Sequence, residues 1–516
     1  MVAVEPGGET RPSREGVVDV PALGASGRAN QRAGTATALA RPNMHSFPRI
    51  HRRSMTRFVD KTHTSRFFLA MKAMRHMNTI LRGSFGVKLG RVALATLCSL
   101  TLAGAARHST AAAASSITVN MSAASWFLQG IPIQQAAATY HKLHPNITIN
   151  IQQDTPDWST KVLAQLKSNG TSPWDVHFVT TPFQELDADI AQGIIQPFDP
   201  YLKASTEPGA RQLKSAMIPS VLADGSRNGK LYSLAYSAEI VGLEWRTDLA
   251  AKVGITTPPA TWNQLKADLV KLATNLHGKN AVTITSAPVL HDLQEAWVMS
   301  ASKHPFTKDG LIDWLSPEAQ QALVFMKQLT QLKGTDKGLD TGGDALWQAG
   351  FSDFTVAPDS RAGWIGKAGL GSAAFVPLPT RCAGCGSGQV FWGNGMSLLK
   401  GAQQPQAATD FLVWAFGPDD SAGMAVHALQ ADETPVYTAY LHKIKTDPSL
   451  ASQRWQLPVI NLIANSLPQA STLYWMQENQ AAQKYWPQYV NTNMTALQYA
   501  KSVTADVAAS IQRSKG

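Results

Sequence analysis

Two spacings of apolar residues alternate in the part of the chain that follows residue 115. Ile117–Met121 and Val176–Val179 are short apolar runs, and such runs predict strands. Ile147, Ile149 and Ile151 alternate with polar residues, which predicts another strand between those two. The pattern therefore predicts three strands that lie close together in the sequence.

Between these strands the apolar residues recur at the spacing of a helix. The apolar face of the first helix comprises Ile133, Ala136, Ala137, Tyr140 and Leu143. That of the second comprises Trp158, Val162, Leu163 and Leu166. Pro145 is expected to end the first helix and Gly170 the second. A strand, helix, strand, helix, strand order predicts a parallel sheet with right-handed crossovers.

Polar and aromatic residues follow each predicted strand. Trp126 comes after the first strand, Asp154 after the second and Thr180 after the third. Ligands of open parallel sheets bind beyond the carboxyl ends of the strands. We therefore expect these three side chains to lie near a binding site.

The segment Asn228–Leu265 carries several local signals in a row. Asn228-Gly229 predicts a tight turn, and the apolar run after it predicts a strand and a short helix that Gly254 ends. Thr261, with Gln264 three residues later, predicts a capping box at the start of a new helix.

The first 114 residues differ in composition from the rest. Residues 1–70 are rich in Arg, Ala, Gly, Ser and Pro, and we interpret them as a disordered leader or as sequence upstream of the true start. Residues 71–114 are typical of a signal peptide, with a basic region, the apolar run Val92–Ala106 and small residues before Ser115. A transmembrane anchor is the alternative, but this apolar run is short for a membrane span.

Charge follows the same division. Residues 1–114 contain 17 Lys+Arg and 5 Asp+Glu out of 46 and 36 in the whole chain, so the remainder has a net charge of about −2. The basic character of the chain belongs to the leader and does not predict a nucleic-acid partner. All 14 tryptophans lie after residue 115, and about 400 residues suffice for two lobes with their own cores.

The three cysteines limit the metal and lipid chemistry of the chain. Cys98 lies in the apolar run, where Leu97 and Ala95 do not fit the pattern of a lipid attachment site. Cys382 and Cys385 form a C-x-x-C in a glycine-rich loop without a second cysteine pair, so neither a zinc site nor a thioredoxin-like redox site is predicted. We expect a disulfide that closes a short loop in an exported protein.

Catalytic motifs do not emerge. H-E-x-x-H and G-x-S-x-G are absent from the sequence, and Gly225, Gly229 and Lys230 are one residue too closely spaced for a phosphate-binding loop. The carboxylates form no pattern that marks a glycosidase pair. A binding protein without a cofactor is therefore favoured over an enzyme.

The order of the motifs resembles the extracellular solute-binding proteins of carbohydrate ABC importers, that is family 1, the maltose-binding-like group. The resemblance opens in Asn228–Leu265, with N-G-K, D-L and P-P-x-T-W. Further motifs in the same order lie at 170–176, 193–198, 345–350, 363–364, 375–379, 390–397, 407–412 and 468–511. The similarity covers essentially all of residues 115–516.

This resemblance implies a type II periplasmic-binding-protein-like α/β fold, with two lobes of mainly parallel sheets joined by a hinge of several strands. The expected N-terminal lobe comprises 115–237 plus 393–435, and the expected C-terminal lobe 238–392 plus 436–516. It also implies a carbohydrate ligand, the transmembrane subunits of an ABC permease as partners, and an exported monomer, periplasmic or at the cell surface.

A carbohydrate site needs flat aromatic surfaces for the C–H faces of the sugar and fixed polar groups for its hydroxyls. The aromatic residues that the motif positions or strand ends suggest are Trp126, Trp158, Tyr236, Trp297, Trp364, Trp392, Tyr474 and Trp475. The suggested polar residues are Thr180, Glu239 and Glu295. Thr180-Thr181 stands where the maltose binder has Trp and then Asp, so maltose itself is not implied.

Two alternatives remain open at this stage. The same clamp could hold a polyamine, which would require carboxylates around the aromatic rings, or a phosphorylated polyol, which would require Arg or a helix N-terminus directed inward. A secreted carbohydrate-active hydrolase is the alternative from another class of protein.

Overall fold

The computed structural model describes residues 115–179, 182–275, 280–284, 290–332, 337, 347, 352–468 and 472–515. The predicted leader 1–70, the predicted signal peptide 71–114 and the candidate Thr180 lie outside these described residues.

The strands of the described part are β1 (Ile117–Ala123), β2 (Ile147–Gln153), β3 (Val176–Val179), β4 (Ile195–Gln196), β5 (Ser226–Arg227), β6 (Lys230–Leu231), β7 (Ser233–Arg246), β8 (Asn280–Ile284), β9 (Ser352–Pro358), β10 (Ala373–Val376), β11 (Val390–Leu399), β12 (Thr434–Pro435) and β13 (Leu467–Pro468). The helices up to residue 330 are α1 (Ser125–Gly130), α2 (Ile133–Leu143), α3 (Trp158–Asn169), α4 (Pro182–Gln192), α5 (Asp199–Ala204), α6 (Leu213–Ala216), α7 (Pro219–Asp224), α8 (Thr247–Lys252), α9 (Trp262–Asn275), α10 (Leu290–Ala301) and α11 (Pro317–Thr330). The later helices are α12 (Ala362–Lys367), α13 (Pro405–Phe416), α14 (Met424–Gln430), α15 (Thr438–Thr446), α16 (Gln456–Ala464), α17 (Trp475–Asn491) and α18 (Ala496–Lys515).

The predicted strand and helix order at the start of the described part is confirmed. β1 lies between β2 and β3 and runs parallel to both. Gly170 follows α3 with a φ of 75°, a left-handed conformation that glycine adopts without steric cost, so the helix ends where the sequence predicts.

One large sheet connects the two parts of the fold. Its strand order is β2-β1-β3-β11-β7-β9-β8, and its outer strands are parallel to their neighbours. β7 and β11 run antiparallel to each other and to β9 and β3 respectively. The α/β class with parallel strands is thus confirmed, and the antiparallel pairs belong to the long strands in the middle.

β7 passes from one half of this sheet to the other. Its first half, up to Ile240, pairs with β11, whereas Val241–Trp245 pairs with β9. β12 also pairs with β7, at Ser237 and Ala238. We call β7, β11 and β12 the crossing strands, because they meet where the two halves of the sheet join.

Two local features expected from the sequence, a capping box and a short disulfide loop, are present in the structure. Gln264 accepts hydrogen bonds from the backbone N–H groups of Ala260 (2.9 Å) and Thr261 (3.1 Å), and the Thr261 hydroxyl accepts one from the Gln264 N–H at 3.3 Å. This is the predicted capping box at the start of α9. A disulfide joins Cys382 to Cys385.

The long helices at the end of the chain pack on each other and on the helices α10 and α11. Tyr499 of α18 donates to the Ala482 carbonyl of α17 at 3.0 Å and accepts from Gln294 of α10 at 2.9 Å. Of the helices in the described part, none combines the length and the apolar character that a membrane crossing needs.

Candidate functional site

Tyr236 anchors an aromatic cluster at the crossing strands. Its ring lies 5.5 Å from that of Phe127 and 5.8 Å from that of Phe178, so β7 contacts the helix after β1 and the end of β3. Burial raises the pKa of its hydroxyl well above the usual value, and the nearby Glu433 carboxyl raises it further. Tyr236 is buried in this arrangement.

Trp126 extends this cluster towards the surface. The indole is half-buried and meets Phe178 edge-on, with ring centroids 5.4 Å apart. Two candidates from distant parts of the sequence, Trp126 and Tyr236, are therefore joined through one buried phenyl ring. This half of the candidate site presents aromatic surface from the first strand–helix turn.

A polar group with an aromatic neighbour lies beside the crossing strands. Glu239 of β7 forms an ion pair with Arg361, with 3.6 Å between Oε1 and Nη1. The Arg361 guanidinium lies over the ring of Trp364, 5.4 Å from its centroid. These side chains remain partly accessible, with exposed fractions of 13% for Glu239 and 17% for Arg361.

Two further carboxyls lie buried next to this group. Asp359 accepts hydrogen bonds from the Ile240 N–H and the Thr434 hydroxyl, both at 2.7 Å. Glu433 accepts from the Ser237 hydroxyl at 2.7 Å and from the Asn394 amide at 3.3 Å.

Burial, followed by repulsion from Glu239, raises the pKa of Asp359 and of Glu433 to about 8. Both carboxyls are therefore largely neutral at pH 7. Glu239, the partly accessible member of this group, is paired with Arg361.

Three further predicted site residues lie at the starts of helices α3 and α17. Trp158 stacks on His177 with 3.8 Å between centroids. Trp475, at the start of α17, lies with Ser159 and Asp189 around a cavity of about 140 Å³. Tyr474 is half-buried and precedes Trp475 at the helix start. This cavity lies between helices α3 and α4 and the start of α17.

The remaining candidates are buried in this structure. Trp297 is 0% exposed and packs edge-on against Trp262 and Phe325, with ring centroids 6.0 and 5.3 Å away. Glu295 and Trp392 are buried as well, the latter paired in register with Glu239 across β11 and β7. Their side chains present almost no surface in this arrangement.

Another cavity lies away from these residues. It measures about 750 Å³ and is lined by Trp262, Gln321 and Arg381, among others, but by none of the predicted site residues. This groove also brings an aromatic side chain, Trp262, near a charged one, Arg381, but it lies apart from the place where the predicted residues Glu239 and Trp364 both contact Arg361, so volume alone does not identify the site.

Sequence reasoning missed Arg361, Asp359 and Glu433. Arg361 stands three residues before the predicted Trp364, and Glu433 stands just before β12. Their positions pointed to the site, but nothing in their local sequence separated them from solvated surface charges. The hydrogen bonds that Asp359 and Glu433 accept from β7, and the ion pair between Arg361 and Glu239, identify them.

The chain is similar to known proteins both in sequence and in structure. The model of the bacterial extracellular solute-binding protein family matches residues 135–451. Proteins of Brucella abortus (strain 2308) and Brucella suis biovar 1 (strain 1330), named as binding proteins, are each 28% identical over 240 residues. The match covers 44% of this chain and 54% of each relative, so the chain spans about half the length of the curated relatives it matches.

Solved structures show the same fold. A maltose-bound MalE3 of T. maritima superposes with a TM-score of 0.61 at 18% identity, over 76% of this chain and 100% of that one. A solute-binding protein of an ABC transporter from Agrobacterium vitis S4, with bound D-mannitol, gives 0.62 at 18%, over 77% and 99%. The sugar-binding protein MalE of Xanthomonas citri gives 0.60 at 16%, over 77% and 99%.

Proposed function

This chain belongs to the family of bacterial extracellular solute-binding proteins, and on that premise we propose that it captures a sugar or oligosaccharide and delivers it to the permease of an ABC importer. The observation that carries the proposal is the juxtaposition of Trp364, Arg361 and Glu239 next to the crossing strands. An indole offers a flat face to the C–H side of a sugar ring, and the ion pair offers a donor and an acceptor to its hydroxyls.

The balance of charge supports a neutral ligand. A polyamine would need accessible negative charge, but the buried Asp359 and Glu433 are largely neutral at pH 7 and Arg361 offsets Glu239. A phosphorylated polyol would need excess positive charge, and the same ion pair removes it. A neutral carbohydrate fits these groups better than either alternative.

Capture is proposed to occur between two lobes. We assign 115–237 plus 393–435 to the N-terminal lobe and 238–392 plus 436–516 to the C-terminal lobe. The division of β7 supports this assignment, since its two halves pair with different strands. Closure around a ligand would stabilise the closed state through contacts with both lobes, and the permease would recognise that state.

Export is the other part of the proposal. We infer that residues 71–114 direct the chain out of the cytoplasm and that the mature protein begins at Ser115 and acts as a monomer in the periplasm or at the cell surface. Secreted protein from the native host, analysed by intact mass, should have lost this segment. Recovery of an uncleaved chain in the cytoplasm would overturn the inference.

A thermal-shift screen tests the ligand class. A ligand that binds only the folded state raises the melting temperature by mass action. Maltose, mannobiose, mannotriose and D-mannitol are compared with spermidine and glycerol 3-phosphate, and a chromogenic glycoside is assayed for turnover. A shift with a sugar or sugar alcohol alone supports the proposal. A shift with spermidine or the phosphate alone, glycoside turnover, or no shift from any broader sugar panel contradicts it.

A further inference from the structure

Three acids meet at the crossing strands, and each comes from a different segment. Glu239 lies in the middle of β7, Asp359 in the turn after β9, and Glu433 just before β12. Hydrogen bonds link the three segments. Asp359 accepts one from the backbone N–H of Ile240, the residue after Glu239, and one from the hydroxyl of Thr434, the residue after Glu433. The three carboxyls are therefore close together at the crossing strands, where the two halves of the sheet meet.

Among the described residues, the cations next to these acids are engaged in ion pairs. Arg361 reaches Glu239 at 3.6 Å. Lys367 is engaged by Asp432 at 2.6 Å, one residue before Glu433. The groups packed against Glu433 from β7 and β11 are neutral: the Ser237 hydroxyl, the Asn394 amide and the Tyr236 phenol. From α16, the nearby Gln456 is also neutral.

We propose that Glu239, Asp359 and Glu433 form a proton-retaining joint between the crossing strands. While this cluster of carboxyls keeps a proton, it stabilises the observed arrangement of the crossing strands, and this stabilisation is lost as the proton dissociates. Three ionised carboxylates opposite one guanidinium would leave uncompensated charge in a buried place, and such charge is costly. A proton on Asp359 or Glu433 removes that cost and keeps the acceptor oxygens in place. The protonated carboxyl belongs to the cluster as a whole, because closely coupled acids titrate together.

The direction of the pH effect follows from these groups. Burial raises the pKa of both acids in the folded chain, while in the unfolded chain they ionise at about 4. Their stabilising contribution is complete below about pH 4 and declines as the pH rises towards 8. In that window, for each proton that the folded chain retains and the unfolded chain has lost, the folding equilibrium constant falls about tenfold with each unit of rise in pH.

The test is urea unfolding of the ligand-free full chain at pH 5.5, 7.0 and 9.0. Glu433→Gln keeps the acceptor oxygen for Ser237 but cannot ionise, so its stability should depend less on pH and should exceed that of the wild type at pH 9.0. Asp506→Asn is the control, because Asp506 pairs with Lys484 away from the crossing strands. Its profile should run parallel to that of the wild type. Parallel profiles for wild type and Glu433→Gln would overturn the proposal.

A second measurement applies to the wild type and does not depend on the variant folding. Carbon-13 NMR of side-chain carboxyls should show acids that titrate above pH 7, and Asp359→Asn or Glu433→Gln should remove one of them. Wild-type spectra in which every carboxyl titrates below pH 6 would refute the joint. Neither measurement involves a ligand, so a failed sugar screen and a failed joint remain separate results.

Discussion

At the residue scale, burial divides the aromatic side chains into two roles. Trp364 is half-buried with a guanidinium over its ring, whereas Trp297 is fully buried between Trp262 and Phe325. Both were predicted as site residues from their positions in the motifs. A partly accessible indole can contact a ligand, while a fully buried one contributes packing.

The paired variants Trp364→Ala and Trp297→Ala separate these roles. Trp364→Ala should weaken carbohydrate binding by about tenfold or more, which corresponds to about 1.4 kcal/mol or more, because the sugar loses the apolar face of the indole. Its melting temperature should change little. Trp297→Ala should cost about 3–5 kcal/mol of stability. Calorimetry and urea unfolding measure the two effects. An unchanged dissociation constant for Trp364→Ala would remove that residue from the site.

Arg361 provides a further test at this scale. Arg361→Ala should weaken carbohydrate binding several-fold, because the variant loses both the charge opposite Glu239 and the cation over Trp364. Arg361→Lys should not restore binding fully, since an ammonium group lacks the planar fork and stacking face of a guanidinium. Arg381→Ala, in the distant 750 Å³ cavity, is the matched control and should bind normally. Equal affinities for Arg361→Ala and Arg381→Ala would contradict this assignment.

At the scale of elements, β11 approaches β7 very closely at Gly395. The register of β7 against β11 shifts between Asn394 and Gly395. A Cβ at Gly395 would lie 2.6 Å from the Leu234 carbonyl oxygen and 2.9 Å from the Ala235 Cα, which are backbone atoms that cannot move aside easily. The strand order therefore depends on a glycine at this position.

Gly395→Ala is accordingly expected to lose about 1–3 kcal/mol of stability through overpacking. Gly366→Ala is the control, since Gly366 is exposed in α12 and its Cβ would meet nothing within 4 Å. The control should be neutral or gain up to about 1 kcal/mol from better helix propensity. Urea unfolding compares the two variants, and equal stabilities would contradict the close approach.

At the scale of the whole molecule, the proposed function requires the two sheet halves to move about the crossing strands. A carbohydrate that passes the thermal-shift screen should reduce the radius of gyration measured by small-angle X-ray scattering, because closure brings both lobes around the ligand. The Trp364→Ala variant should need a higher ligand concentration for the same contraction. Binding without any contraction would argue against closure, and would leave a site confined to one lobe.

Much of the fold could be predicted because its signals are local. The strands at Ile117 and Ile147, the helix that Gly170 ends and the capping box at Thr261 each depend on residues a few positions apart. Motif order then predicted the fold that the solved structures share with this chain. Such signals survive in sequence because hydrophobic periodicity and capping act over one or two turns.

The sequence by itself determined the α/β elements, their order and the aromatic residues from which a site could be built. Only the tertiary structure decided that Trp126 and Tyr236 share a cluster, that Trp297 is buried, and that Glu239 and Arg361 form an ion pair beside Trp364. It also decided that Asp359 and Glu433 meet at the crossing strands. The reason is physical: burial, pairing and pKa depend on residues far apart in the chain, and their spacing in sequence does not record those distances.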